Sequence, residues 1–276
     1  MKYLVLGSSG QVGAALTDYL QKAGHEAICF DVVKHPEEDL RVANNPILLE
    51  RMKQADFVFF LAFDVGGSRY LKTYQHTFDY ISNNVKLMQN TFDLLKQTQK
   101  PFIFASSQMS NMGYSPYGQL KALGELYTRT LNGLIVKFWN VYGVEHELEK
   151  SHVITDFLLK ARSNKMIDMM TDGSEQRQFL YAQDCSECLV NLSKEYHQVP
   201  RDQDLHITNF EWHSILDVAK IIADLYPGTQ VKPAKLTDEV QKDKRNEPNP
   251  FILQYWKPKT NLAEGIRLVD SFMTSA

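Results

Sequence analysis

Cysteine is scarce in this sequence: Cys29, Cys185 and Cys188 are three among 276 residues. That is too few for a disulfide scaffold and suits a reducing cytosol. Cys185 and Cys188 form a lone C-x-x-C, with no second pair and no nearby histidine. Packing within a helix is therefore favoured over a zinc or redox role, and no metal site is expected. Blocks of one charge are missing as well. The formal net charge is −3, and no basic run interleaved with aromatics occurs, which argues against nucleic acid as a partner. No apolar run approaches the roughly 18 residues that a membrane-spanning helix needs. Met1-Lys2-Tyr3 enters an apolar strand directly, with no secretory leader, so a cytoplasmic location is expected. Internal repeats and low-complexity segments are also lacking.

What is present is a large reserve of core-forming residues, 43% hydrophobic against 23% charged. This supports one large α/β domain, or a core domain with a smaller appended lobe. Short apolar runs at 3–7, 27–31, 57–62, 101–107 and 134–139 read as buried strands. Helical patterns at 12–23, 76–98 and 117–131 alternate with them. Such alternation means a doubly wound parallel sheet. After Tyr142 the order becomes irregular: 151–163 helical, 178–182 extended, 213–226 helical, and a charged loop over 235–250. The expected division is a dinucleotide-binding Rossmann domain over 1–142, with some later segments returning to its sheet. A smaller, mainly substrate-binding lobe is expected over 143–276.

The first strand runs into GSSGQVG, with Gly7, Gly10 and Gly13 spaced G-x-x-G-x-x-G. Alone, that spacing is a weak signal and could be a tight turn without a ligand. Here a strand ends at Gly7 and a helix begins near Gln11 and Val12, so free N–H groups at the helix start can receive a pyrophosphate. Asp31 ends the second strand, 18 residues beyond Gly13. A carboxylate there binds ribose hydroxyls and repels a 2′-phosphate, so NAD is favoured over NADP, although Lys34 and His35 follow closely.

YGQLK places Tyr117 and Lys121 one helical turn apart, on one face. A cation beside a phenol lowers its pKa from about 10, which makes a proton acceptor for oxidising an alcohol. Ser106 and Ser107 end the fourth strand, at the sheet edge where such folds place chemistry. Each motif alone has a bland reading, as turn chemistry or a solvated helix face. Their order along one chain argues against coincidence.

Together these motifs resemble the extended short-chain dehydrogenase/reductases, in the nucleotide-sugar epimerase/dehydratase branch, over nearly the whole chain. GSSGQVG resembles that branch's opening fingerprint, FVFFLA its V-x-H-L-A-A, and NNVKLMQNTFDLL its N-V-x-G-T-x-N-L-L. SPYGQLKALGE is similar to S-P-Y-G-x-S-K-x-x-x-E, KFWNVYG to R-Y-F-N-V-Y-G, DGSEQRQFLYAQD to G-D-G-x-Q-x-R-D-F-V-Y-V-x-D, and WKPKTNLAEGI to W-x-P-K-T-x-L-x-E-G-L. The resemblance implies Tyr117 as general base, Lys121 as its electrostatic partner and ribose ligand, and Ser107 on the same sugar oxygen. It implies Asp31 at the adenosine ribose and Asp39 and Leu40 near the adenine. Leu61, Ala62 and Asn84 fall at cofactor-lining positions, with Ser106 beside them. Asn140, Arg177 and Arg245 would hold the substrate's diphosphate side, where guanidinium forks suit phosphate oxygens.

The chain also departs from the branch. Only nine residues separate Ser107 from Tyr117, so the substrate mouth is either more open or lidded by another segment. Gln108 and Met109 stand where dehydratases carry an Asp-Glu pair, which counts against 4,6-dehydration. Met109 also stands where one 3,5-epimerase subfamily has a cysteine acid/base. FDVGGSRYL resembles loops of GDP-mannose epimerases and GDP-fucose synthases, pointing to a GDP-linked sugar. Lys137 replaces the arginine of R-Y-F-N. The implied activity is NAD-dependent oxidation of a nucleotide-sugar hydroxyl at C4. Its outcome could be 4-epimerisation, 4-dehydrogenation or 4-ketosugar reduction. A dehydratase, a reductase of a non-nucleotide carbonyl and a non-catalytic NAD sensor or scaffold are the less favoured alternatives. His76, His152 and Cys185 are candidates for a second acid/base, with bland roles preferred. The resemblance further implies a homodimer paired through helices 76–98 and 117–131. On the second helix, Leu120, Leu123, Tyr127 and Leu131 share a stripe that internal packing would equally explain.

Overall fold

Successive residues of the first strand, β1 (Lys2–Leu6), face opposite sides of a sheet, and both sides are apolar. Tyr3 and Val5 enter one core, Leu4 a second core with Leu6. The computed structural model describes residues 1–145, 147–236 and 246–275. After β1 come α1 (Gln11–Lys22), β2 (Glu26–Phe30), α2 (Pro46–Gln54), β3 (Phe57–Phe60), α3 (Ser68–Tyr74), α4 (Phe78–Thr98), β4 (Phe102–Ser107), α5 (Pro116–Thr130) and β5 (Leu134–Phe138). The second half adds β6 (Asn140–Tyr142), α6 (Val153–Asn164), β7 (Met166–Asp168), β8 (Gln176–Arg177), β9 (Phe179–Tyr181), α7 (Ala182–Lys194), β10 (Leu205–Ile207), β11 (His213–Ser214), α8 (Ile215–Leu225), β12 (Gln230–Lys232) and α9 (Leu262–Ser275).

Six of these strands pair in parallel in the order β10-β5-β4-β3-β1-β2. The chain reverses its direction of travel between β1 and β3, and a doubly wound sheet opens its ligand crevice at such a switch point. α1 and α7 cover one face, over Tyr3, Val5, Phe57 and Phe59. α2, α4 and α5 cover the other, over Leu4, Leu6, Val58 and Phe60. Thus, from the second half, β10 returns to the sheet and α7 to the face that α1 covers. A third core joins α6, α8 and α9 through Phe157, Leu158, Val218, Ile222, Ile266 and Val269.

Local signals explain the element boundaries. Asn45 caps α2, accepting from Ile47 N and Leu48 N, with Pro46 at the first helical position. Ser115 and Pro116 start α5 in the same way. The helix expected over 213–226 begins only at Ile215, because His213 and Ser214 pair with Arg177 and Gln176, and Ser214 then forms a capping box with Asp217. Much of the expected loop at 235–250 lies outside the described residues, and its end becomes a 3₁₀ turn at Pro250–Gln254. Cys185 and Cys188 are both fully buried in α7, as the packing reading expects, and burial pushes both thiols up. No helix among the described residues is long and apolar enough to cross a membrane. Among those residues no cluster of histidine, cysteine and carboxylate side chains could hold a metal ion.

Candidate active site

A cleft of about 460 Å³ runs along the C-terminal edge of the sheet, from the glycine turn to Tyr117. Gly7, Gly10, Gln11, Val12 and Gly13 line one end, with Leu61 and Ala62 from the end of β3. The turn is tight because it has no side chains at two crowded points. A Cβ on Gly13 would lie 2.0 Å from Gly7 O, and one on Gly7 would lie 2.8 Å from the Ala62 backbone, at φ +85°. The hydroxyls of Ser8 and Ser9 are buried in this turn without partners among the described residues. Orphaned donors beside a helix N-terminus fit a phosphate. The Gln11 amide is directed to the backbone of Val141 and Gly143, 2.9 Å from each.

The Asp31 carboxylate accepts from Ser9 N (2.8 Å) and Val33 N (2.9 Å), which fixes it on the cleft wall. A carboxylate has about four acceptor sites, so capacity remains for ribose hydroxyls. Asp39 and Leu40 line the same end. Asp39 is held by the Arg41 guanidinium at 2.8 Å, which keeps its carboxyl below the usual range. These residues fit a dinucleotide, with the glycine turn and Ser9 at the pyrophosphate and Asp31 at the adenosine ribose.

At the other end, α5 brings Tyr117 and Lys121 to the cleft, and β4 brings Ser106. Ser107, the next residue, accepts from Met109 N at 3.2 Å and lies beside the Tyr117 phenol, but it does not line the cleft. Ser106 donates to Glu125 at 2.6 Å, one turn beyond Lys121, and Lys137 and Arg129 flank that carboxylate at 3.8 and 3.2 Å.

The electrostatics correct the simple expectation of a phenol acidified by its lysine. Burial pushes Tyr117 up to about 12, and the neighbouring Ser107 hydroxyl draws it only part of the way back. The Lys121 ammonium donates to Ala105 O at 2.7 Å and lies 5.9 Å from the Tyr117 ring centre. Lys121 is itself only 4% exposed, and burial lowers it to about 7 against the opposing pull of Glu125. The two side chains share a helix face, but desolvation outweighs their mutual effect.

Other expected site residues sit elsewhere. Asn84 is fully buried behind the wall, where its amide binds Asp64 N (2.8 Å), Asp64 O (3.1 Å) and Tyr80 O (3.0 Å); its neighbour Asn83 reaches the cleft. Asn140 starts β6 and donates to Gln178 O at 3.3 Å. Arg177 lies on β8, two residues before the Phe179 that pairs with Asn140. Arg245 lies outside the described residues. Of the candidate second acids, His76 is exposed beyond α3 and Cys185 is in the core. His152 lines the cleft, paired with Glu145 at 2.6 Å. Phe63, Asp64, Trp139, Glu145 and Lys150 also line it; the first two fall in FDVGGSRYL and Trp139 in KFWNVYG, but neither motif gave them a site role. Asn246 answers the question of the short 108–116 connection: it donates to Gln108 O at 2.6 Å and accepts from Asn111 at 2.8 Å.

A model of the NAD dependent epimerase/dehydratase family matches residues 3–208. The chain is 21% identical to UDP-glucuronic acid decarboxylase 1 of Danio rerio, over 96% of this chain and 71% of the relative. It is 24% identical to the uncharacterized UDP-glucose epimerase YtcB of Bacillus subtilis (strain 168), over 100% of this chain and 98% of the relative. The solved structure of epimerase Mth375 from Methanothermobacter thermautotrophicus superposes with a TM-score of 0.83 at 20% identity, covering 99% and 92% of the two chains.

Proposed function

The chain belongs to the NAD dependent epimerase/dehydratase family, and from that premise we propose that it oxidises the C4 hydroxyl of a nucleoside diphosphate sugar and returns the hydride as a 4-epimerase. NAD, when bound, supplies the hydride acceptor and donor. Tyr117, reacting as the phenolate, takes the hydroxyl proton as the carbinol becomes a ketone, and as the phenol gives it back when the ketone is reduced. Ser107, beside that phenol, shares the sugar oxygen. One observation carries this reading: Ser106, Tyr117 and Lys121 line one end of the cleft whose other end holds the glycine turn and Asp31. Gln108 and Met109 follow Ser107 in a 3₁₀ turn, so no carboxylate pair stands there for eliminating water. Release of the ketone, as a 4-dehydrogenase, or the reverse 4-ketosugar reduction would use the same residues.

Asn140 and Arg177 are proposed for the diphosphate, with Arg245. The curated relatives named above carry UDP-sugar names, whereas loop 63–71 resembles GDP-sugar enzymes, so the base is part of the test. A panel of UDP-, GDP-, CDP- and dTDP-sugars is incubated with the enzyme, and products are resolved by chromatography and mass spectrometry while absorbance is followed near 340 nm. The expected result is a C4 epimer with no net NADH. Tyr117→Phe should lower kcat by roughly 10²- to 10⁴-fold with NAD binding retained. No product and no absorbance change with any sugar would favour an NAD sensor. Full turnover by Tyr117→Phe would end the proposed mechanism.

The same reading includes a homodimer. Phe78 (82% exposed), Ile81 and Val85 form an open apolar stripe on α4, and Leu126 is open on the adjacent α5. Such a patch on neighbouring helices suits a second copy of the chain.

A further inference from the structure

The Lys121 ammonium is cut off from water and has three donors to satisfy. Ala105 O, at 2.7 Å, takes one of them. The face of Phe63, in the loop that follows β3, lies 3.8 Å from Nζ, nearer than the rings of Phe104 (5.3 Å) or Tyr117 (5.9 Å). Phe63 also meets the Tyr117 ring edge-on, with centroids 5.8 Å apart at 77°. One ring thus touches both members of the Tyr/Lys pair and lines the cleft. An aromatic face attracts a cation through its quadrupole, most strongly where water is excluded.

We propose that Phe63 is a positioning residue for this reaction: its ring holds the Lys121 ammonium charged and aimed along the cleft wall beside Tyr117. The inference rests on the proposed role of Lys121 beside the general base. The titratable groups facing the ammonium are Glu125, one turn on, and Tyr117, one turn back. Glu125 is shared with Ser106, Arg129 and Lys137, so its pull on Lys121 is divided. Phe63 supplies a second attraction from the loop after β3, whose described residues make no competing hydrogen bond to the ammonium. Without that contact, burial would leave Lys121 neutral at a lower pH, and the base would lose its cationic neighbour.

The test is an NMR titration of the full-length chain carrying ¹³C-labelled lysine ε-carbons, with the Lys121 signal assigned through Lys121→Arg. Phe63→Leu keeps an apolar side chain and removes the quadrupole. The Lys121 midpoint should fall by roughly 0.4 to 1.5 units in this variant. Phe63→Trp should restore it. The alkaline fall of kcat/KM should move down by the same amount, which loss of packing alone would not produce. An unchanged midpoint in folded Phe63→Leu overturns the proposal. Should that variant not fold, the wild-type spectrum decides. Ring-current displacement of the Lys121 ε-protons upfield of the other lysines is expected, and their coincidence with the surface lysines overturns it. Neither NMR readout requires substrate, so failure of the epimerase reading and failure of this inference are separately visible.

Discussion

At the residue scale, Asp31 is held by the fold and proposed for a ligand. Two backbone N–H groups orient it, one from the glycine turn and one from the loop after β2. Asp31→Ser keeps a small polar group there and removes the charge. NAD binding should weaken about 10- to 100-fold, the worth of a hydrogen bond to a charged group, and discrimination against NADP should fall with it. Calorimetric titration with both cofactors checks this. Undiminished NAD affinity would mean that the carboxylate contributes only turn geometry. His206 makes a second case. It is 8% exposed on β10, and Trp139 Nε1 donates to its Nδ1 at 3.0 Å. Burial and the Lys137 charge lower His206 to about 4. Its native pKa therefore lies below that of the unfolded chain, near 6.5. Between those values the unfolded state binds the extra proton, so stability falls as pH falls. The loss from this residue should be on the order of 3 kcal/mol between pH 7 and 4. His206→Gln keeps an acceptor for Trp139 and cannot titrate. Urea unfolding of that variant should show a shallower acid slope, and an identical slope would place the acid sensitivity elsewhere.

At the scale of the element, α5 delivers Tyr117, Lys121 and Glu125 on successive turns, so its seating on β4 sets the site. Gly124 permits that seating. A Cβ there would lie 2.2 Å from Phe104 Cζ, and the Phe104 ring is wedged between Phe60 and Phe92 at 5.3 and 5.7 Å. The ring has no room to retreat. Gly124→Val should cost about 1–3 kcal/mol by overpacking, read as a lower thermal midpoint. It should also lower kcat, because Phe104 lies 5.3 Å from the Lys121 ammonium. Wild-type stability in that variant would show that α5 can shift on the sheet. The periodicity of 117–131 announced this helix, and Ser115-Pro116 announced its start. The expected stripe of Leu120, Leu123, Tyr127 and Leu131 faces the core, where Tyr127 stacks on Phe92 at 5.0 Å. Leu126 and the α4 residues Phe78, Ile81 and Val85 are the outward apolar set. Periodicity identifies an apolar face but does not say which partner covers it.

For the whole molecule, that outward set leads to a prediction about assembly. On the proposed reading the chain is a dimer in solution, and the double variant Phe78→Glu/Leu126→Glu should be monomeric. Light scattering after size exclusion distinguishes the two masses. A monomeric wild type would remove the dimer from the proposal. The ties between segments that line the cleft are also a whole-molecule property. Gly67 N donates to Lys150 O at 2.9 Å, the Lys150 ammonium reaches Asp64 at 3.6 Å, and Arg69 reaches Asp156 at 3.3 Å. The loop after β3 is thereby tied to the chain that leads into α6.

Sequence alone determined the α/β class, the parallel sheet, the glycine turn and the helix bearing Tyr117 and Lys121. Each of these is written in local periodicity or in spacings shorter than one β-α-β unit. The tertiary structure decided the rest. It placed β10 at the sheet edge, turned Asn84 behind the wall, brought Asn246 to the short connection and set Phe63 against the Lys121 ammonium. It also reversed the expected acidity of Tyr117. Desolvation depends on everything packed around a group, and the partners packed on Tyr117 and Lys121 include Phe63 of the loop after β3 and Phe104 and Ala105 of β4. No spacing along one helix records them.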